Sequence, residues 1–141
     1  MQRTATAHWS GGLKDGKGTV SSQSGVLNNN QYSFGTRFES GIGTNPEELI
    51  AAAHAGCFAM ALSAELEKLG MKAESLDAKA TVTLEFIDGK PTITTSHLDL
   101  TAHIPGADRD KFQEAAHNAE VGCPISRVLN AKVSLTATLN A

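Results

Sequence analysis

The sequence of 141 residues predicts an α+β fold with a mostly antiparallel sheet around one long central helix. Two observations carry this reading. A long apolar run, Leu49–Leu62, is interrupted only by His54 and lies between clear helix start and stop signals. After it come two alternating stretches joined by Asp88-Gly89-Lys90, where Asp-Gly is a strong hairpin signal. The remaining elements complete the order β-β-β-α-β-β-α-α-β within a single domain, residues 1–141, long enough for a substantial core.

In chain order, Thr4–Trp9, Gly18–Ser22 and Gln31–Phe38 read as short strands, with turns at Gly11-Gly12, Asp15-Gly16 and Asn28–Asn30. Tyr32, Phe34 and Phe38 share parity, which suits one face of the third strand. Composition changes at Asn45-Pro46-Glu47-Glu48: Asn45 is a good N-cap, Pro46 suits a first turn, and the two glutamates favour the positive end of a helix dipole. That helix should reach about Leu69, where Gly70 offers a C-cap. Leu49–Leu62 is too short to span a bilayer and reads as a core helix buried nearly all round, its Ala and Gly residues permitting close approach of another backbone. Ser75–Ile87 and Pro91–Ile104 form the hairpin, with Val82, Leu84 and Phe86 on one face and Leu98, Leu100 and Ala102 on another. Asp108 caps a helix to about Glu120, a short helix follows Cys123-Pro124, and Lys132–Leu139 is a final strand.

A hydrophobic fraction of 40% with 19% charged residues is that of a globular chain. The net charge of −3 and scattered basic residues give no general attraction to nucleic acid or to an anionic membrane. The first residues, MQRTATAHWSGG, contain no apolar stretch of signal-peptide length. Two cysteines without an export signal suggest a reducing cytoplasm, where a transient disulfide is expected over a structural one.

Those cysteines, Cys57 and Cys123, stand in unlike settings 66 positions apart. Cys123 precedes Pro124 at a helix start, where the dipole lowers a thiol pKa. Cys57, mid-helix among alanines, should have a raised one.

The segment TRFESGIGTNPEELIAAAHAGCFAMAL resembles the signature of the osmotically inducible protein C (OsmC) family, and VGCPISRVL resembles its second-cysteine motif. AHWSGG and GKGTVSSQSGVLN also match, so the likeness covers nearly the whole chain. A sister group, the organic hydroperoxide resistance proteins, usually has Tyr where His54 stands; AAHAGCF and the arginine of TRFE point to the OsmC branch. The resemblance implies an intertwined homodimer whose sheets wrap a central helix pair. It further implies a cytosolic thiol peroxidase that acts on organic hydroperoxides in stress defence, with no cofactor or metal, reduced by a dithiol such as a lipoyl group. It assigns Cys57 as the peroxidatic residue, Cys123 as its resolving partner, Arg37 as the cation, and Glu47 as the carboxylate that orients Arg37.

These residue types suit that chemistry. The thiolate attacks the O–O bond, a cation stabilises it and polarises the peroxide, and a second thiol condenses with the sulfenic acid before further oxidation. With Cys57 mid-helix, its role depends on Arg37 being close. Glu47 and Cys57 are ten residues apart, about 15 Å along one straight helix, too far to serve one site from the same helix. An antiparallel pair of helices crossing near Ala51–Ala53 would instead bring Glu47 of one subunit to Cys57 of the other.

Blander readings stand beside each residue. Glu47 suits a first helical turn in any protein, Arg37 can pair with Glu39, His54 can be a hydrogen-bonded core histidine, and Phe58, Met60 and Leu62 can be plain core. Three rival functions remain open. A general thiol–disulfide oxidoreductase would want a Cys-x-x-Cys motif, which is missing. His54, Cys57, His117 and Cys123 could form a zinc site if they converge. A non-catalytic module could hold an apolar ligand beneath the helix.

Overall fold

The computed structural model describes residues 1–141, which gather into two compact units, 1–49 and 50–141. In the first, β1 (Ala5–Ser10), β2 (Lys17–Ser22) and β3 (Asn30–Tyr32) form an antiparallel sheet in that order. Trp9 and Tyr32 pack with ring centroids 5.5 Å apart, and Gly18 lies buried against both. A Cβ on Gly18 would stand 2.5 Å from Tyr32 and 2.6 Å from Trp9, so only glycine admits this ring packing.

The expected third strand, Gln31–Phe38, is corrected here. It ends at Tyr32, and Phe34–Phe38 form a short helix, α1, which adds one element to the anticipated order. The cause is a reciprocal cap: the Thr36 N–H donates to Ser33 Oγ (3.3 Å) and the Ser33 N–H donates to Thr36 Oγ1 (2.8 Å). One helical turn also brings the rings of Phe34 and Phe38 to 4.9 Å, a pairing at i and i+4.

The long helix, α2, spans Pro46–Lys68. It begins as expected, with the Glu48 N–H donating to Asn45 Oδ1 at 2.7 Å. It ends in a Schellman motif: Gly70 takes φ +74°, its N–H bonds to Glu67 O, and the Met71 N–H bonds to Leu66 O.

In the second unit β4 (Ser75–Ile87) and β5 (Lys90–His103) pair antiparallel across the expected hairpin, whose turn is Asp88-Gly89 alone, with φ values of 51° and 76°, and Lys90 already pairs with Ile87. Helix α3 (Arg109–Gly122) is capped by Asp108 Oδ1 on the Lys111 N–H, and α4 (Pro124–Val128) follows Cys123. These helices carry the chain back, so β6 (Lys132–Asn140) joins β5 in parallel. The strands thus form two three-stranded sheets, with three antiparallel pairings and one parallel.

The core of this unit joins Phe58, Leu62 and Leu66 of α2 to Leu98, Leu100 and Ala102 of β5, with Phe112 and Ala115 of α3 beneath. His54 extends the α2 stripe at the same four-residue spacing. The helix is not buried all round. Ala52, Ala53 and Gly56 are exposed and Met60 is 75% exposed, so Met60 does not join Phe58 and Leu62 in the core. Its packing partners in the core come from one side, and its second apolar face is bare in the single chain. By length and composition alone the helix could cross a membrane, but the stripe from His54 to Leu66 belongs to a packed core.

Candidate active site

Cys57 lies on α2, one turn after His54, and Cys123 occupies the junction of α3 and α4. Both thiols are free, and each lies near enough to the other to influence its ionisation. Cys123 is fully buried and caps α4: the Ser126 N–H donates to its Sγ at 3.3 Å, and Ser126 Oγ lies 3.4 Å from the same sulfur.

Their electrostatics follow from these surroundings. Burial pushes the Cys57 thiol up and the adjacent Cys123 adds to this, against a backbone hydrogen bond from Ile125. Burial also pushes on Cys123, but the Ser126 hydroxyl and N–H, helped by Cys57, outweigh it, and the thiol falls below its usual range. The helix-start thiol is the more acidic, as its sequence setting suggested.

His54 is fully buried between two hydroxyls, with Nδ1 at 2.6 Å from Ser96 Oγ and Nε2 at 2.8 Å from Ser126 Oγ. Burial lowers its pKa. The histidine is therefore joined through Ser126 to Cys123. Sequence reasoning missed both serines. Ser96 continues the period-two face of Leu98, Leu100 and Ala102, and a hydroxyl on a core face needs a partner. Ser126 lies inside VGCPIS itself.

In the first unit Arg37 pairs with Glu47, not with Glu39. Nε and Nη2 of Arg37 each lie 2.9 Å from Glu47 Oε1. Glu47 is buried, its Oε2 is enclosed without a hydrogen-bond partner, and the Arg37 side chain remains 40% exposed. Beside Arg37 is an apolar cavity of about 170 Å³ whose walls include Trp9, Leu13, Tyr32, Phe34 and Phe38. A larger cavity of about 430 Å³ has Lys14, Lys17 and Glu39 on its wall and does not touch Arg37.

The zinc alternative fails on geometry. His117 is exposed on α3, with Nδ1 3.9 Å from Glu120 Oε2, and no three His, Cys, Asp or Glu side chains stand where they could hold a metal. The four residues singled out in the sequence come together as two pairs, Arg37 with Glu47 and Cys57 with Cys123, each inside one unit.

A family model described as OsmC-like protein matches residues 39–138, a span that includes both cysteines. The chain belongs to this family. It is 46% identical to the peroxiredoxin OsmC of Escherichia coli strain K12 across its full length and 99% of that protein. It also resembles the crystal structure of the organic hydroperoxide resistance protein OhrB of Bacillus subtilis, at 27% identity, TM-score 0.68, and 97% and 98% coverage of the two chains. A further likeness is to an organic hydroperoxide resistance protein from Elizabethkingia anophelis, at 28% identity and TM-score 0.70, with 99% of each chain covered.

Proposed function

We propose that this OsmC-family chain is a thiol peroxidase that reduces organic hydroperoxides to alcohols in stress defence. The observation that carries the reading is the proximity of two free thiols, Cys57 and Cys123, which come from distant parts of the sequence and influence each other's ionisation. The names of its relatives, a peroxiredoxin and organic hydroperoxide resistance proteins, support the reaction class.

In this reading the Cys57 thiolate attacks the terminal peroxide oxygen, the O–O bond breaks, and the alkoxide leaves with a proton as alcohol. The sulfenic acid left on Cys57 is closed by Cys123 to a disulfide, which an external dithiol such as a lipoyl group reduces. Recycling of this kind suits a reducing cytoplasm. Arg37, oriented by Glu47, offsets the burial that disfavours the Cys57 thiolate. The apolar cavity beside Arg37 would take the alkyl group of the hydroperoxide, at roughly 0.8 kcal/mol per buried methylene. That gain is absent for hydrogen peroxide.

The working molecule in this proposal is a homodimer with the bare Ala52, Ala53 and Gly56 face of α2 against its counterpart, so that Arg37 and Glu47 of one subunit serve Cys57 of the other. Turnover of cumene hydroperoxide with a dithiol tests the reaction: Cys57→Ser should abolish it, and a non-catalytic apolar-ligand module would consume no peroxide in any form. Mixing Glu47→Ala chains with Cys57→Ser chains tests the sharing. Heterodimers should regain intact sites, and a mixture no more active than its components would rule sharing out.

A further inference from the structure

Ser96 is fully buried, and its hydroxyl has one partner, His54 Nδ1 at 2.6 Å. A hydroxyl has a single proton, and a buried O–H without an acceptor is costly. Were Nδ1 to carry a proton, the ring would donate to Ser96 Oγ and strand the serine's own proton in the core. Ser96 therefore donates to Nδ1, and the neutral ring carries its proton on Nε2. That N–H points at Ser126 Oγ, 2.8 Å away. The protonated Nε2 cannot accept from Ser126, so the Ser126 hydroxyl directs its own proton to its other neighbour, Cys123 Sγ at 3.4 Å. Every link of the chain points the same way, from β5 through α2 to the sulfur.

We infer that Ser96, His54 and Ser126 form a one-directional hydrogen-bond chain that ends on Cys123 and favours the thiolate form of its sulfur, the form that closes the disulfide. His54 is a positioning residue in this device, acting through Ser126. The titratable groups that face Cys123 are Cys57, directly, and His54, through Ser126; both come from α2. Burial lowers the His54 pKa and so favours the neutral ring that the chain requires. The consequence rests on the peroxidase reading above. When Cys57 carries a sulfenic acid, the electron pair of the Cys123 thiolate forms the S–S bond, the S–O bond breaks, and the departing hydroxide takes a proton from solvent as water. Cys123 is oxidised and the Cys57 sulfur reduced, with no further reactant. A larger thiolate fraction on Cys123 speeds closure and shortens the exposure of the sulfenic acid to a second peroxide.

The test is a titration of Cys123 by thiolate ultraviolet absorbance in a Cys57→Ser background, where Cys123 is the one thiol left. Ser126→Ala should raise its pKa by about one unit, the value of a charge-assisted hydrogen bond, and Ser126→Thr should restore it. Ser96→Ala is decisive, because Ser96 reaches the sulfur only through His54. It should raise the pKa in the same direction by a smaller amount. A Cys123 pKa unchanged by Ser96→Ala, with circular dichroism intact, overturns the chain. If that variant does not fold, His54→Leu takes its place, and an unchanged pKa there overturns the chain equally. Turnover plays no part in this titration. A shifted pKa, with a wild-type protein that consumes no peroxide, sinks the peroxidase reading alone, and an unshifted pKa, with an active wild-type protein, sinks the chain alone.

Discussion

Removing Arg37 should cost more stability than removing the charge of Glu47, although both break the same ion pair. Arg37→Met deletes both 2.9 Å contacts to Oε1 and leaves a carboxylate that is 8% exposed. Its other oxygen, Oε2, is already enclosed and unpartnered. Breaking a fully buried pair from one side costs about 3–5 kcal/mol. With the Arg37 side chain 40% exposed, water reaches that side of the pair, which reduces the expectation to about 2–3 kcal/mol. Glu47→Gln keeps one acceptor oxygen, and the cation left behind can hydrate where it is exposed, so its cost should be about 1 kcal/mol. Urea denaturation at fixed protein concentration, followed by the fluorescence of Trp9, the single tryptophan, reads the difference in the same unit as the pair. At a slope of about 2 kcal/mol per molar, Arg37→Met should lower the midpoint by roughly 1 M and Glu47→Gln by about half as much. Equal losses, or a larger loss for Glu47→Gln, would refute the asymmetry argued from burial.

The single-cysteine variants should show opposite dependences of stability on pH. With Cys123 alone, the Ser126 hydroxyl and N–H remain to depress the folded pKa, so stability is present above the ordinary thiol value and is lost as pH falls through the folded one. With Cys57 alone, the folded pKa is raised, so stability is present below the ordinary value and is lost as pH rises through the folded one; chemical denaturation across the alkaline range reads both slopes. Gly56→Leu probes the bare face of α2. A Cβ at Gly56 meets nothing within 4 Å in the single chain, so the variant should fold yet run as a monomer in size-exclusion chromatography, and an unchanged dimer would move the interface elsewhere.

How much of this was legible in the sequence depended on the range of the signal. Local chemistry read well: Asn45 caps the helix it was expected to cap, and Asp88-Gly89 makes the expected turn. The short helix at Phe34–Phe38 was missed because Tyr32, Phe34 and Phe38 satisfy a period of two. The Ser33-x-x-Thr36 cap and the i, i+4 ring pair overrule it. The bare face of α2 was hidden because periodicity reports apolar positions and not what covers them. The pairing of Glu47 with Arg37 came from the family resemblance and not from the residues alone, which left Glu39 open, and the surroundings of His54 were out of reach. Its two serines lie 42 and 72 positions away in sequence, and only the packing of β5 and α4 against α2 brings them to the ring. The relative acidity of the two thiols was readable, since a helix start lowers and an apolar helix interior raises.

That order of acidity is in tension with the proposed roles, because the nucleophile is the thiol the isolated chain makes less acidic. Single-turnover oxidation of the two single-cysteine variants by one equivalent of cumene hydroperoxide, followed by mapping of the sulfenic acid with a carbon-acid trap, addresses it directly. Cys123→Ser should show stoichiometric peroxide loss and a trapped adduct on Cys57, with no consumption by Cys57→Ser. An adduct on Cys123 in Cys57→Ser, formed at a comparable rate, would contradict the assignment and exchange the two roles.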